Sequence, residues 1–445
     1  MLEDTASRWE SAAQHAVAAP QGVAARPRRK TKGAPATSRD AGGWRPVVDA
    51  LGLDRVTENA IAGRAAINGT SFRVELLASG KVAEGAFFET VARVLSIPFL
   101  EVIDPDALVM RDRDGLSALR APDLRTARLH GANGQSLILL APDEQEFVKL
   151  SAALAANPSL RARLCIATPR ALRAAIETRC RRVLTLRATH RLFDALPACS
   201  ARIVMRGRQG FLAGVLLAAY ASLTVLSETG ATIAVHVMFS FFFLACVVLR
   251  LLAIRRVKID EQPVISALDP REMPRYSVLV ALYREADIVP ELLVALGKLV
   301  WPRGKLEIKL VCEADDAETL AAIEAQELRP LIEVIRVPKS LPRTKPKALS
   351  HALQMISGDY VALYDAEDRP HPLQLVEAWQ RFQRADADLA CVQAPLVISN
   401  QRHGLLSRMF AFEYSGLFRG MLPFLARNEL VLPLGGTSNH FRGIR

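Results

Sequence analysis

The sequence predicts an α/β protein in three parts: a small soluble α/β module, a pair of membrane-length apolar helices, and a second α/β domain built on a mostly parallel sheet. Three observations predict it. Residues 45 to 195 mix short helical and strand-like pieces, two long runs between Arg208 and Arg250 carry no charge, and after Pro274 β-branched-rich runs alternate strictly with helical stretches. At 445 residues, 50% of them hydrophobic, the chain can fill two or three domains.

Residues 1–44 are rich in Ala, Pro, Gly and Ser, carry the basic run "RPRRKTKG" at 26–33, and show no apolar period. They read as a disordered basic tail. No apolar segment follows Lys32 as a signal peptide would require, which places the amino terminus in the cytoplasm. Six cysteines are widely spaced with no C-x-x-C pair, so neither a zinc site nor a disulfide framework is expected, only packed thiols in a reducing compartment.

In the module, "AFFETVARVLSIPFLEV" (86–102) reads as an amphipathic helix running into a strand, and "QSLILLAPD" (135–143) as a strand leaving a turn. Through "VELLASGKVAEGAFFETVARVLSIPFLE" and "CIATPRALRAAI" the segment 45–195 loosely resembles the amino-terminal domain of type II secretion and pilus-assembly ATPases. No G-x-x-x-x-G-K-[ST] phosphate loop occurs, so the ATPase activity does not carry over.

The apolar helices come next, at 209–250. Nineteen uncharged residues lie between Arg208 and Glu228 and twenty-one between Glu228 and Arg250, each close to the roughly 20 residues that cross a bilayer as a helix. Arg202, Arg206 and Arg208 precede the first run, and Arg250, Arg255, Arg256 and Lys258 follow the second, so both ends are expected on the cytoplasmic side of the inner membrane. The formal net charge of +11 admits nucleic acid, anionic lipid or a phosphorylated substrate as partner. Ten arginines from Arg170 to Arg208, against only Glu177 and Asp194, assign much of it to lipid headgroups. No base-stacking aromatic cluster accompanies them, which speaks against nucleic acid.

In the last domain, 274–445, strands are expected at 276–282, 307–313, 332–338, 359–365 and 389–395, with helices at 286–299, 316–328, 345–356 and 372–385. Such sheets bind ligands beyond the carboxyl ends of their strands. Tyr283 and Glu285, then Asp315 and Asp316, then Asp365, Glu367 and Asp368 fall at those ends. Acids so close together repel unless a cation or solvent takes up the charge, so the last three mark either a wet turn or a hard metal. With Lys345 and Lys347 at a helix start, they suit Mg²⁺ or Mn²⁺ bridging a diphosphate.

Residues 274–445 resemble the family-two glycosyltransferases, in the membrane-bound branch that includes cellulose synthase. "VALYREAD", "VCEADDAET", "TKPKALSHAL", "YDAEDRPHP", "CVQAPLVISNQ" and "PLGGTSNHFR" stand in that family's order. The resemblance implies a GT-A, Rossmann-like nucleotide-diphospho-sugar transferase domain. Glu285 and Asp315 or Asp316 would hold the base, Tyr283 would stand beside them, and Lys347 would contact the diphosphate. Asp365, with Glu367 or Asp368, would hold the metal, and Gln393, Gly436 and Thr437 would line the acceptor side. The family's general base and acceptor-holding motif are expected beyond Arg445, so the sequence reads as the front part of an enzyme. The expected activity is transfer of sugar from a nucleotide diphosphate sugar to a saccharide or lipid acceptor; the alternative is a catalytically inactive membrane module that binds nucleotide sugar or a protein. Residues 401–427 set apolar side chains among arginines, as an interfacial helix or a core helix would.

Overall fold

The computed structural model describes residues 41–130, 136–255 and 268–443. The chain divides into two compact units, one of residues up to Thr189, Val264–Val392 and Gly436 onward, the other of His190–Pro263 and Gln393–Gly435.

The first unit contains the amino-terminal module together with most of the last domain, whose residues 393–435 fall in the second unit. The module holds a four-stranded sheet of order β1-β4-β3-β2, with β1 Phe99–Leu100, β2 Thr126–His130, β3 Ser136–Leu140 and β4 Leu164–Ala167. Strands β1 and β3 run parallel to β4, and β2 runs antiparallel to β3. The helix Glu84–Leu95 buries Phe87, Val91 and Leu95 on one stripe, as its four-residue spacing predicts. Trp44 closes this core, stacked on Phe147 with centroids 4.9 Å apart. Of the tail expected at 1–44, residues 1–40 lie outside the described residues, whereas Ala41 and Trp44 are fully buried in this core.

The second sheet has six strands in the order β7-β6-β5-β8-β10-β9, with β5 Tyr276–Leu282, β6 Leu306–Glu313, β7 Ile332–Val337, β8 Tyr360–Tyr364, β9 Cys391–Gln393 and β10 Asn439–Arg442. Strands β5 to β8 are mutually parallel. The strand expected at 389–395 shrinks to three residues, and β10, which carries no apolar run, was not expected. It pairs antiparallel with β8, His440 opposite Ala362, and the buried His440 Nδ1 lies 2.8 Å from the Tyr276 hydroxyl.

The module is not a separate body. One face of the sheet packs Tyr276, Val278, Val280 and Leu282 with Ile308, Leu310 and Tyr364. The other packs Leu279, Val311, Ile335 and Val361 against Leu172, Ile176 and Leu184 of the module's long helix, Pro169–Ala195. Charge reinforces the joint. Lys309, 1% exposed, is bonded to Glu333 and lies 3.6 Å from Glu307. Arg173 reaches Glu333 at 3.8 Å, and Arg170 donates to the Ile332 carbonyl at 3.3 Å. Burial works against the charges of Glu307 and Glu333, but Lys309 and Arg173 hold both carboxyls below their ordinary range. Two of the ten arginines expected to face lipid thus face the sheet instead.

In the second unit, Gly207–Leu226 and Glu228–Arg255 are helices long and apolar enough to cross a membrane, and Phe211, Leu217, Phe241, Phe242 and Phe243 on them are exposed. The helix Leu405–Gly416 exposes Leu405, Leu406, Met409 and Phe412 rather than packing them in a core, and its Glu413 pairs with Arg250 at 3.9 Å. Of the cysteines, Cys165, Cys180 and Cys312 are buried, whereas Cys199 and Cys246 are exposed rather than packed.

Candidate functional site

Because β6, β5 and β8 are adjacent and parallel, the residues after each emerge on one edge of the sheet, with neighbouring strands about 4.8 Å apart. After β5, Arg284 takes a left-handed backbone with φ +58°. A non-glycine residue there is strained and needs support. Asp316 supplies it: its carboxylate accepts the Arg284 N–H at 2.6 Å and the Thr319 N–H at 3.3 Å, capping the helix Ala317–Glu324. Burial opposes ionisation of Asp316, but these N–H donors hold its carboxyl below the usual range.

The turn so fixed lines a cavity of about 340 Å³, walled by Tyr283, Arg284, Asp315, Asp316, Glu318 and Arg343. Two guanidinium groups approach the Tyr283 ring, Arg284 at 5.3 Å and Arg343 at 5.8 Å from its centroid, while Arg343 also grips Asp315. A half-exposed aromatic ring flanked by planar cations and a carboxylate can stack on a nucleobase and hydrogen-bond its edge.

After β8, the Asp365 N–H donates to Asp368 Oδ2 at 2.8 Å and to Thr437 Oγ1 at 3.0 Å, and the Thr437 hydroxyl donates to Asp368. Lys345 pairs with the Asp365 carboxylate and donates to the Gly436 carbonyl at 3.1 Å. Burial pushes the Asp368 carboxyl up and the Lys345 ammonium down, each partly offset by its neighbours. Glu367 is exposed. Among the described residues no three His, Cys, Asp or Glu side chains converge to hold a metal. Asp365 and Asp368 nonetheless present the oxygen donors a hard divalent ion takes, and Lys345 already places a positive charge on Asp365.

The structure thus places Tyr283, Asp315 and Asp316 on the cavity, and Asp365, Asp368, Gly436 and Thr437 together at the neighbouring strand end. Glu285 does not line the cavity; its N–H is held by Thr319 Oγ1 at 3.0 Å. Gln393 ends the short strand β9. Lys347 departs from its expected place: it is 3% exposed and its ammonium lies 2.8 Å from Glu313. Two residues along a helix turn a side chain to a different face, so Lys345 meets the acids and Lys347 points inward. Arg284 and Arg343 were not foreseen as site residues.

Residues 274–442 match the family model described as "Glycosyltransferase like family 2". The matched segment takes in strands β5 to β10, and it is similar to a glycosyltransferase domain. The chain is similar to a probable glycosyltransferase of Sulfolobus acidocaldarius, 27% identical over 179 residues that make up 38% of this chain and 36% of that one. It is also similar to the probable glycosyltransferase YdaM of Bacillus subtilis, 29% identical over 23% of this chain and 25% of the relative. The chain therefore spans only about a third or less of these relatives' lengths. A mannosyltransferase of Pyrobaculum calidifontis, solved with GDP-Man and Mn²⁺, aligns at 26% identity and a TM-score of 0.30, over 36% of this chain and 46% of that one.

Proposed function

We propose that this chain is an inner-membrane glycosyltransferase that moves a sugar from a nucleotide diphosphate sugar to a saccharide or lipid acceptor. The observation that carries the reading is the pairing, on one sheet edge, of the Tyr283–Arg284–Arg343 cavity with the Asp365–Asp368–Lys345 cluster. In this reading the base stacks on Tyr283 and is hydrogen-bonded by Asp315, while Asp316 positions the Tyr283–Arg284 turn. Asp365 and Asp368 hold Mg²⁺ or Mn²⁺, which when bound neutralises the diphosphate as it leaves. Lys345, released from Asp365, stabilises the same developing charge. Thr437 keeps Asp368 oriented, and Gly436, Thr437 and Gln393 belong to the acceptor side.

The two apolar helices support anchoring in a bilayer, with the apolar face of Leu405–Gly416 in the interface and the soluble parts cytoplasmic. The resemblance of residues 45–195 to a secretion-ATPase domain enters as a docking body that braces the transferase sheet. Calorimetric titration of the full chain in detergent with UDP- and GDP-sugars, with and without Mn²⁺, tests the donor site. Metal-independent binding that survives Asp365→Ala would rule it out.

A further inference from the structure

A second cavity, of about 220 Å³, lies between the module and the transferase sheet, away from the strand-end site. It is lined by Glu177, Thr178 and Arg181 of the helix Pro169–Ala195, Val334 and Arg336 of β7, and His351 of the helix Lys345–Ala352. His351 is 1% exposed, yet neither of its ring nitrogens has a hydrogen-bond partner. A neutral imidazole always carries one N–H donor, and buried donors are almost never left unpaired without a reason. Two guanidinium groups line the same cavity, Arg181 and Arg336, the second of them also paired with Glu324 at the surface; both are suited to planar or tetrahedral oxyanions.

We infer that this cavity is a binding site for a small oxyanion, a phosphate or carboxylate group held by Arg181, Arg336 and the His351 N–H. One carboxyl, Glu177, also lines the cavity. Burial, reinforced by the charge of Glu333, pushes the Glu177 carboxyl up to about 7, so near neutrality it can offer a proton to a ligand oxygen. The volume admits one such group with a short substituent. The ligand would tie the module to the helix whose first turn carries Lys345.

The test is the binding of inorganic phosphate, glycerol phosphate and acetate to the full chain, by calorimetry at constant ionic strength held with chloride. Saturable binding of at least one probe, weakened at least tenfold in both Arg181→Gln and Arg336→Gln but retained in Arg343→Gln, is the expected result. The preferred probe separates free phosphate, a phosphomonoester and a carboxylate as sources. Both arginines are exposed, so these variants should fold, and wild-type melting temperature confirms it. Binding by none of the three probes, or binding lost in Arg343→Gln and unchanged in the other two variants, overturns the inference.

Discussion

Replacing Asp316 by alanine removes two supports at once. The carboxylate caps the helix Ala317–Glu324, and losing such a cap costs about 0.5–2 kcal/mol. It also accepts the 2.6 Å bond from Arg284 that holds a left-handed residue in place, and hydrogen bonds to a charged group contribute about 1.5–3 kcal/mol. Together Asp316→Ala should destabilise the first unit by about 2–5 kcal/mol, lowering its melting temperature by roughly 5–10 °C. Because Tyr283 and Arg284 then leave the cavity wall, nucleotide affinity should fall about tenfold or more, equivalent to about 1.4 kcal/mol. Asp316→Asn keeps a cap of equal quality and should recover most of the stability. Thermal unfolding followed by tryptophan fluorescence, with nucleotide titration on the same samples, measures both. If alanine and asparagine variants melt and bind alike, Asp316 is not the support of this turn.

The other predictions follow from single contacts. Arg343→Ala removes a cation near Tyr283 and one of the two cations on Asp315, the other being Lys339, so donor affinity should drop about tenfold with little change in melting temperature; unchanged affinity refutes the base-binding role. Lys347→Met leaves Glu313 buried and unpaired and should cost about 3–5 kcal/mol of stability, with Glu313→Gln restoring part of it; a stable variant that only binds donor poorly would instead make Lys347 a donor contact. Burial pushes His351 and His440 from 6.5 down to about 4. Below pH 6.5 the unfolded chain therefore binds more protons than the folded one, and stability should fall between pH 6.5 and 4 by up to about 3 kcal/mol per histidine. The raised Glu177 has the opposite slope, losing stability as pH rises from 4.5 to about 7, so His351→Gln should flatten the acid limb of the melting profile and Glu177→Gln should steepen it. Reporter fusions at residues 229 and 270 should report opposite sides of the membrane; the same side for both would refute the hairpin.

The strands β5 to β8 were legible because each is a short run rich in β-branched and apolar residues, bounded by helical stretches and followed by polar residues. Tyr283, Asp315, Asp316 and Asp365 could be placed at strand ends for the same reason, and the apolar helices followed from charge-free length alone. What stayed hidden depends on partners distant in sequence. Strand β10 reads Asn-His-Phe-Arg and becomes a strand only because β8 offers it an edge. Lys347 looks like a site lysine until helix geometry turns it to Glu313. Arg284 and Arg343 are separated by strands β6 and β7, and only the fold brings both to Tyr283. Arg170 and Arg173 looked like lipid-facing charges because the sequence does not say that Glu333 lies opposite.

The shared core between the module and the transferase sheet also orders events at the ribosome. Leu172, Ile176 and Leu184 are made early, before both apolar helices, whereas Val311, Ile335 and Val361, which cover them, are made late. At about 5–20 residues per second the gap is roughly 6–40 s, during which the part of this apolar stripe that the module itself does not cover stands exposed. In that interval the nascent chain is at its most exposed to chaperones and to aggregation, until strands β6 to β8 cover the stripe.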